Sequence, residues 1–304
     1  MTRIALVTAI AAAGVDDDLT PLLDACARAG LAVQVRAWDD ATVGWGRFDA
    51  AILRSPWDYV PRLREFLAWS EHVSTRTRLI NPLPIVRWNT DKHYLAELAA
   101  RGVPIVPTAF VEPNMEPLPA LQDFLAAHPD AEEFVVKPSV GAGSKDAQRY
   151  ARSQEFAAAN HLARLLDADR GAMLQPYLSS VDEHGETALM YFADEFSHAI
   201  RKGALLRPDE GPTSHLFAAE AITPRLPSQE ELALADRVIA AARDALRLEE
   251  ALLYARVDLI RDDAGQACLL ELELCEPSLF FAHAPGSADR FAALLLKALG
   301  GVAA

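Results

Sequence analysis

Long apolar runs are missing from this chain. No stretch of its 304 residues reaches the roughly 18 uninterrupted apolar positions that a membrane helix needs, so no membrane partner is expected. Cysteine is scarce and odd in number. Cys26, Cys268 and Cys275 have no zinc-type spacing, which excludes a disulfide framework or a zinc finger and points to reduced, packed thiols in a cytoplasmic protein. Positive charge is short as well: 29 Lys and Arg against 43 Asp and Glu leave a net charge of −14, the wrong sign for a nucleic-acid backbone. A phosphate-bearing ligand would therefore need local cations or metal ions. Glycine is thin where a dinucleotide fingerprint needs three. After IALVTA comes IAAAGV with a single one, which argues against a nicotinamide-dependent oxidoreductase. The apolar N-terminal stretch superficially resembles a secretion signal, but Ile4, Leu6 and Val7 form a compact run that stops at Gly14 and a string of aspartates, so a strand is expected. There is no internal repeat and no low-complexity tail.

What is present reads as α/β. RIALVTA, LAVQVRAW and DAAILRS are strands, separated by the helix DLTPLLDACARAG and followed by the helix PRLREFLAWSEHV, an order that implies a parallel sheet. Pro-rich NPLPIV (81–86) is a break and a boundary. Beyond it the spacing predicts a helix from Asn89 or Thr90 to Gly102, then alternating short strands and helices up to AMLQPYL. The helix SQEFAAANHLARLLDA carries Phe156, Leu162, Leu165 and Leu166 on one face. After the polar linker SSVDEHG come two hairpins around a helix with a Ser228/Glu231 capping box. The segments divide as an N-terminal α/β domain (1–86), a central subdomain (87–178) and a C-terminal subdomain (179–304).

The second hairpin poses a problem of charge. In CLLELELCEP, strand alternation turns Glu271 and Glu273 to one side and Leu270, Leu272 and Leu274 to the other. With the turn at Asp263 to Gly265, Asp258 falls close to opposite Glu271. Three carboxylates on a largely apolar hairpin repel and resist desolvation. Either the face is solvated, or a divalent cation such as Mg²⁺ gathers the oxygens. Upstream, EFVVKPSVGAGSKD ends a strand on Lys137 and follows it with Gly141, Gly143 and Ser144, a cation with backbone N–H groups for phosphate.

Taken in order, VVKPSVGAGS, LQPYL, SHAIRKGALL and RVDLIRDDAGQACLLELELCEPSLFF resemble the ATP-grasp superfamily of carboxylate–amine ligases, over residues 87–284. The resemblance implies an N-terminal parallel α/β domain followed by two antiparallel-sheet subdomains that clamp ATP. It implies two Mg²⁺ ions on Asp258, Glu271 and Glu273, with Glu273 standing where the family has Asn. It further implies Lys92 and Lys137 as phosphate lysines, Gly141, Gly143 and Ser144 in a closing loop, and Gln175, Tyr177 and Leu178 as the adenine hinge. Glu186 becomes the ribose acid, with Asp182 and Glu183 as alternatives. Arg201 steadies the phosphorylated carboxylate and its oxyanion, and Lys202 assists or is solvated. Within the superfamily RSPWDY, SHAIRKGALL and ELELCEPSLFF look most like the cyclo-ligases that close O-ureido-D-serine into D-cycloserine. Relatives with the same signature join two separate amino-acid-like substrates instead.

LRSPWDY lies at the carboxyl end of the third strand, where open α/β sheets bind ligands. Arg54 suits a substrate carboxylate, and Trp57, Asp58 and Tyr59 shape a polar pocket with an aromatic wall. Glu276 and Ser278 are placed for the amine end of a small amino-acid-like substrate. His198 and His215 are acid–base candidates, each with a structural alternative. A monomer and a homo-oligomer are both compatible with the sequence. A regulatory nucleotide-binding module and a kinase are the remaining rivals; phosphate release that depends on an amine acceptor separates a ligase from the kinase.

Overall fold

The structure, a computed structural model, describes residues 2–208, 211 and 221–300. His215, one of the two histidine candidates, lies outside the described residues.

Three sheets follow one another along the chain. The first contains β1 (Arg3–Thr8), α1 (Leu19–Arg28), β2 (Ala32–Ala37), β3 (Ala50–Ser55), α2 (Leu63–Ser74) and β4 (Arg78–Ile80), with all four strands parallel in the order β2-β1-β3-β4. Every residue of β3 is buried, as suits a strand covered on both faces.

Where a Pro-rich break and one long helix were expected, two short helices stand: α3 (Leu83–Asn89) and α4 (Tyr94–Ala100). Pro82 caps α3 and Pro84 sits in its first turn, where a missing N–H breaks no intrahelical bond, so these prolines start a helix rather than prevent one. Asn89 ends α3 instead of capping α4. Its amide pairs with the edge of the last hairpin, donating to Leu272 O at 2.8 Å and accepting from Leu274 N at 2.6 Å.

The second sheet comprises β5 (Ala109–Val111), β6 (Glu133–Pro138), β7 (Gln148–Ala151) and β8 (Ala172–Pro176), antiparallel in the order β5-β8-β6-β7. Helices α5 (Pro117–Ala127) and α6 (Glu155–Asp167) cover it through Leu121, Phe124, Leu162 and Leu165. Phe156 does not join them. It lies off the Ala158–Leu162–Leu165 stripe and is 75% exposed.

The expected linker folds into a single turn, α7 (Ser180–His184). The third sheet then takes β9 (Glu186–Phe192), β10 (Glu195–Lys202), β11 (Ile222–Arg225), β12 (Tyr254–Arg261) and β13 (Ala267–Glu273), antiparallel in the order β11-β10-β9-β12-β13. Helix α8 (Gln229–Leu246) carries the anticipated Ser228/Glu231 capping box. It packs with α4 against this sheet in one core that includes Tyr94, Leu98, Leu189, Val238, Val257 and Leu269. Helix α9 (Ser287–Ala298) reaches back to the first block, where Phe291 and Leu295 share a core with Ile4 and Leu22. Packing therefore crosses the sequence segments on both faces of the third sheet. No helix of the described residues is long and apolar enough to cross a membrane.

Asn81 ties the first block to the third sheet. Its buried amide donates to Tyr254 O at 3.0 Å and Leu274 O at 2.8 Å, and accepts from Leu253 N at 3.2 Å. Asn81→Ala strands three buried backbone groups and should cost about 3 kcal/mol or more of unfolding free energy, measured by urea titration with an unchanged m-value.

Candidate active site

Strand pairing puts Asp258 opposite Glu271 and Arg256 opposite Glu273 across β12 and β13. The register slips between Asp258 and Leu259. Leu270, beside this bulge, and Leu272 both line the cavity with the glutamates, although both were expected on the far face. The carboxylates are held by cations from three directions. Lys202 at the end of β10 approaches Asp258 Oδ2 at 2.7 Å and Glu186 Oε2 at 3.3 Å. Arg256 forks onto Asp258, with Nε 2.8 Å from Oδ1 and Nη2 2.9 Å from Oδ2, and also hydrogen-bonds Glu273. Lys92, just before α4, reaches Glu271 Oε1 at 3.0 Å and donates to Gly141 O at 2.7 Å.

Burial and neighbours divide the three acids. Burial alone would raise the Asp258 carboxyl, but Arg256 and Lys202 together hold it down at about 2. Glu271 is likewise lowered, burial being outweighed by Lys92 and Lys137. Glu273 is pushed up to about 8, by burial first and then by Glu271 and Asp258, against the pull of Arg256. Lys137 on β6 is brought down to about 8 by burial, with Lys92 and Lys202 adding to the fall and Glu271 opposing it.

All of these groups except Asp258 border one cavity of about 430 Å³, enclosed by the second and third sheets and the first block. Gly141, Gly143 and Ser144 form part of its wall; Gly143 and Ser144 have φ of 61° and 58°, a left-handed turn that glycine makes without strain. At the other end Val135, Leu178, Ile260 and Leu270 make an apolar slot beside Gln175 and Tyr177.

A family model of the D-cycloserine synthetase DcsG N-terminal domain matches residues 4–81. The chain is 48% identical over 299 residues to the cycloserine biosynthesis protein DcsG of Streptomyces lavendulae, covering 98% of this chain and 99% of that protein. The chain belongs to the DcsG family. It superposes on the crystal structure of D-cycloserine synthetase DcsG with a TM-score of 0.92 at 47% identity, over 98% of this chain and 99% of that one. The ATP-grasp ligase PsnB complexed with its minimal precursor shares the fold alone, with a TM-score of 0.63 at 17% identity over 98% and 99% of the two chains. The fold is thus that of the ATP-grasp ligases, with a parallel sheet ahead of two antiparallel ones.

In this DcsG family member, most of the residues singled out by sequence meet at the cavity. Lys92, Lys137, Lys202 and Glu186 line it, as do Glu271 and Glu273; Asp258 lies just behind them. The hinge residues Gln175, Tyr177 and Leu178 line it too, although the Gln175 amide is spent on Thr108 Oγ1 at 2.8 Å and the Tyr177 N–H on Glu133 O at 2.9 Å. Arg149 buttresses the hinge, its guanidinium 3.6 Å from the centre of the Tyr177 ring. Asp182 accepts from Arg149 and from the Tyr177 hydroxyl rather than lining the cavity, and Glu183 does not line it either.

Three expectations change. Arg201 is not at the cavity: alternation with Lys202 turns it away, and it donates to His184 O at 2.7 Å and Glu183 O at 2.9 Å. The guanidinium that does line the cavity is Arg256, overlooked although it shares the face of Asp258 two residues on. Arg54 is wholly buried and donates to Pro277 O at 3.1 Å, so it braces the Glu276–Phe280 wall rather than meeting a ligand. Asp58 points to Trp38 Nε1 and Arg62 Nη2, each at 2.8 Å, and is not part of the lining. Trp57, Glu276 and Ser278 are part of it; Trp57 Nε1 donates to Glu276 O at 3.1 Å. His198 is a brace, with Nε2 2.8 Å from Leu279 O. Tyr59, expected in the aromatic wall, lines the cavity; Asp16 and His283 line it and went unmarked. The string of aspartates after Gly14 was the available signal for Asp16.

Among the described residues no group of three or more His, Cys, Asp or Glu side chains stands as a ready cation cage. The acidic trio is nevertheless suited to Mg²⁺. Its oxygens are hard donors, and Glu273, whose carboxyl is raised by burial first and then by Glu271 and Asp258, is the acid that a bound cation would favour in its ionised form.

Glu273 makes stability depend on pH. Its folded value of about 8 exceeds the ordinary 4.5, so the native state binds more protons in between and stability falls as pH rises across that window. Melting temperatures recorded in metal-free buffer from pH 5 to 9 should therefore decline for the wild type and decline less for Glu273→Gln.

Proposed function

We propose that this chain is an ATP-dependent ligase that closes O-ureido-D-serine into D-cycloserine. The observation that carries the reading is the convergence of Lys92, Lys137, Lys202 and Arg256 with Asp258, Glu271 and Glu273 on one cavity, in a chain 48% identical to DcsG. ATP supplies the phosphoryl group that makes the substrate carboxylate an acyl phosphate, and Mg²⁺ on Asp258, Glu271 and Glu273 would screen the phosphate charge. Lys92 and Lys137 bind phosphate oxygens, and the low value of Lys137 fits an ammonium that gains its counter-charge from a bound anion. The backbone from Gly141 to Ser144 covers the phosphates. Gln175, Tyr177 and Leu178 seat the base in the apolar slot, and Glu186 takes the ribose hydroxyls.

Arg256 receives the role first expected of Arg201. Its guanidinium borders the cavity beside the acidic trio, where a carbonyl oxygen gains charge as nitrogen attacks. Lys202 keeps Asp258 ionised and in place. The nitrogen nucleophile belongs to the same molecule as the activated carboxylate. The ureido nitrogen bonded to oxygen attacks the acyl phosphate, phosphate leaves as the ring closes, and only then does water remove the carbamoyl group as carbamic acid, which breaks down to CO2 and NH3. The cavity's task is to hold that chain folded for five-membered ring closure and to keep water out, since orientation alone supplies a large part of such a barrier. The first block carries the substrate end, and the second and third sheets form the nucleotide clamp, with 1–86, 87–178 and 179–304 as the proposed division. Three free, buried cysteines support a reducing cytoplasmic setting.

The test measures ADP release and D-cycloserine formation from O-ureido-D-serine. Glu271→Gln should abolish Mg²⁺-dependent turnover while the protein stays folded at the assay temperature, and Arg256→Lys should lower kcat by about 10²-fold or more. Wild-type turnover in Glu271→Gln contradicts the metal assignment. ADP release without ring product points to a kinase.

A further inference from the structure

Behind the apolar slot a single guanidinium joins the parts that form its walls. Arg149 of β7 stands directly opposite Val135 of β6, so the two side chains share one face of the second sheet. Val135 is part of the slot, whereas Arg149 is buried and does not line the cavity. Its Nε donates to Glu133 Oε1 at 2.9 Å, and Nη2 donates to Glu133 Oε2. Nη1 donates to the two oxygens of Asp182 at 3.3 and 3.2 Å, and to Leu206 O at 3.4 Å. The central carbon of the group lies 3.6 Å from the centre of the Tyr177 ring. The Tyr177 hydroxyl in turn donates to Asp182 Oδ1 at 2.5 Å. Tyr177 and Leu206 both line the cavity.

We infer that Arg149 is the positioning residue of the nucleobase slot, setting the separation of Tyr177 and Leu206 and, through it, the preference for ATP. The assignment rests on the ligase reading above. Arg149 spans three stretches of chain: β6, the turn from β8 into α7, and the segment that follows β10. Two of its partners are acids, which offset the cost of burying its charge. A carbonyl and a ring take up what remains, a combination that a planar fork satisfies and an ammonium does not. A ring fixed in advance stacks on a base without paying to be ordered, and a slot held narrow favours a purine over a smaller pyrimidine.

The experiment measures turnover with ATP and with CTP at saturating O-ureido-D-serine. It compares the wild type with Arg149→Met, Arg149→Lys, Tyr177→Leu and the Arg149→Met/Tyr177→Leu double variant. Arg149→Met should raise KM for ATP about 10-fold and leave kcat within about twofold, since it touches no reacting atom. The kcat/KM ratio of ATP to CTP should fall with it, whereas a general loss of folded protein would lower both alike. In the double variant KM for ATP should stay within about threefold of that in Tyr177→Leu, because both changes remove one contact. Arg149→Lys is the milder change and decides the matter if Arg149→Met does not fold; it should raise KM for ATP about threefold or more. An unchanged KM and ATP-to-CTP ratio in folded Arg149→Lys, or effects that multiply in the double variant, overturns the role of Arg149 alone. A wild type that turns over no ATP overturns the ligase reading with it.

Discussion

Opposite charges gathered on and beside the third sheet hold one another in place at the centre of this molecule. Lys202 of β10 grips Asp258 of β12, Arg256 bridges Asp258 to Glu273 of β13, and Lys92 reaches across to Glu271. Each acid would be costly to bury alone, and each base would be too. Together with Lys137 they form an alternating lattice of seven charged groups, six at the wall of a single cavity and Asp258 just behind it. The lattice is incomplete by design of its neighbours: Glu273 stays partly protonated and Lys137 has its ammonium weakened by burial. A ligand carrying both anionic oxygens and a metal ion relieves both deficits at once, which is the physical content of the ligase reading.

The first block serves this lattice as a brace. Arg54, Trp57 and Asp18 do not crowd the cavity with three independent contacts; they hold the backbone of Glu276, Pro277 and Leu279 to Phe281 from behind. Asn81 and Asn89 do the same for Leu253, Leu272 and Leu274. Side-chain amides that copy the pairing pattern of a missing strand satisfy the edge of β13 and fix its distance from α3. The wall that meets substrate is thus set by contacts tens to hundreds of residues away in sequence. This explains how a segment as irregular as EPSLFF keeps a defined shape.

Much of this was legible in the chain itself, for identifiable reasons. Period-2 alternation and a Gly-containing turn place Asp258 against Glu271, because hairpin pairing is local. The Ser228/Glu231 cap and the Lys137 glycine hairpin are local as well. What failed depended on long-range packing or on small backbone irregularities. Leu270, beside a bulge, and Leu272 line the cavity with the glutamates, and strand alternation left Lys202 rather than Arg201 inside. Arg54 and Asp58 sit in a motif correctly located at the ends of strands, yet their partners lie on Pro277, Trp38 and Arg62, which no local pattern reveals. Prolines 82 and 84 read as a break because the same residues that end helices also begin them.

The central claim is that the acidic trio and the lysines exchange one another for a magnesium–triphosphate complex. A crystal structure of the protein with Mg²⁺ and a non-hydrolysable ATP analogue tests it most directly. The account predicts phosphates between Lys92, Lys137 and the 141–144 loop, with metal on Asp258 and Glu271 and the Lys92–Glu271 contact opened. Nucleotide bound away from these lysines, or metal held by the phosphates with no carboxylate oxygen in its shell, would contradict it.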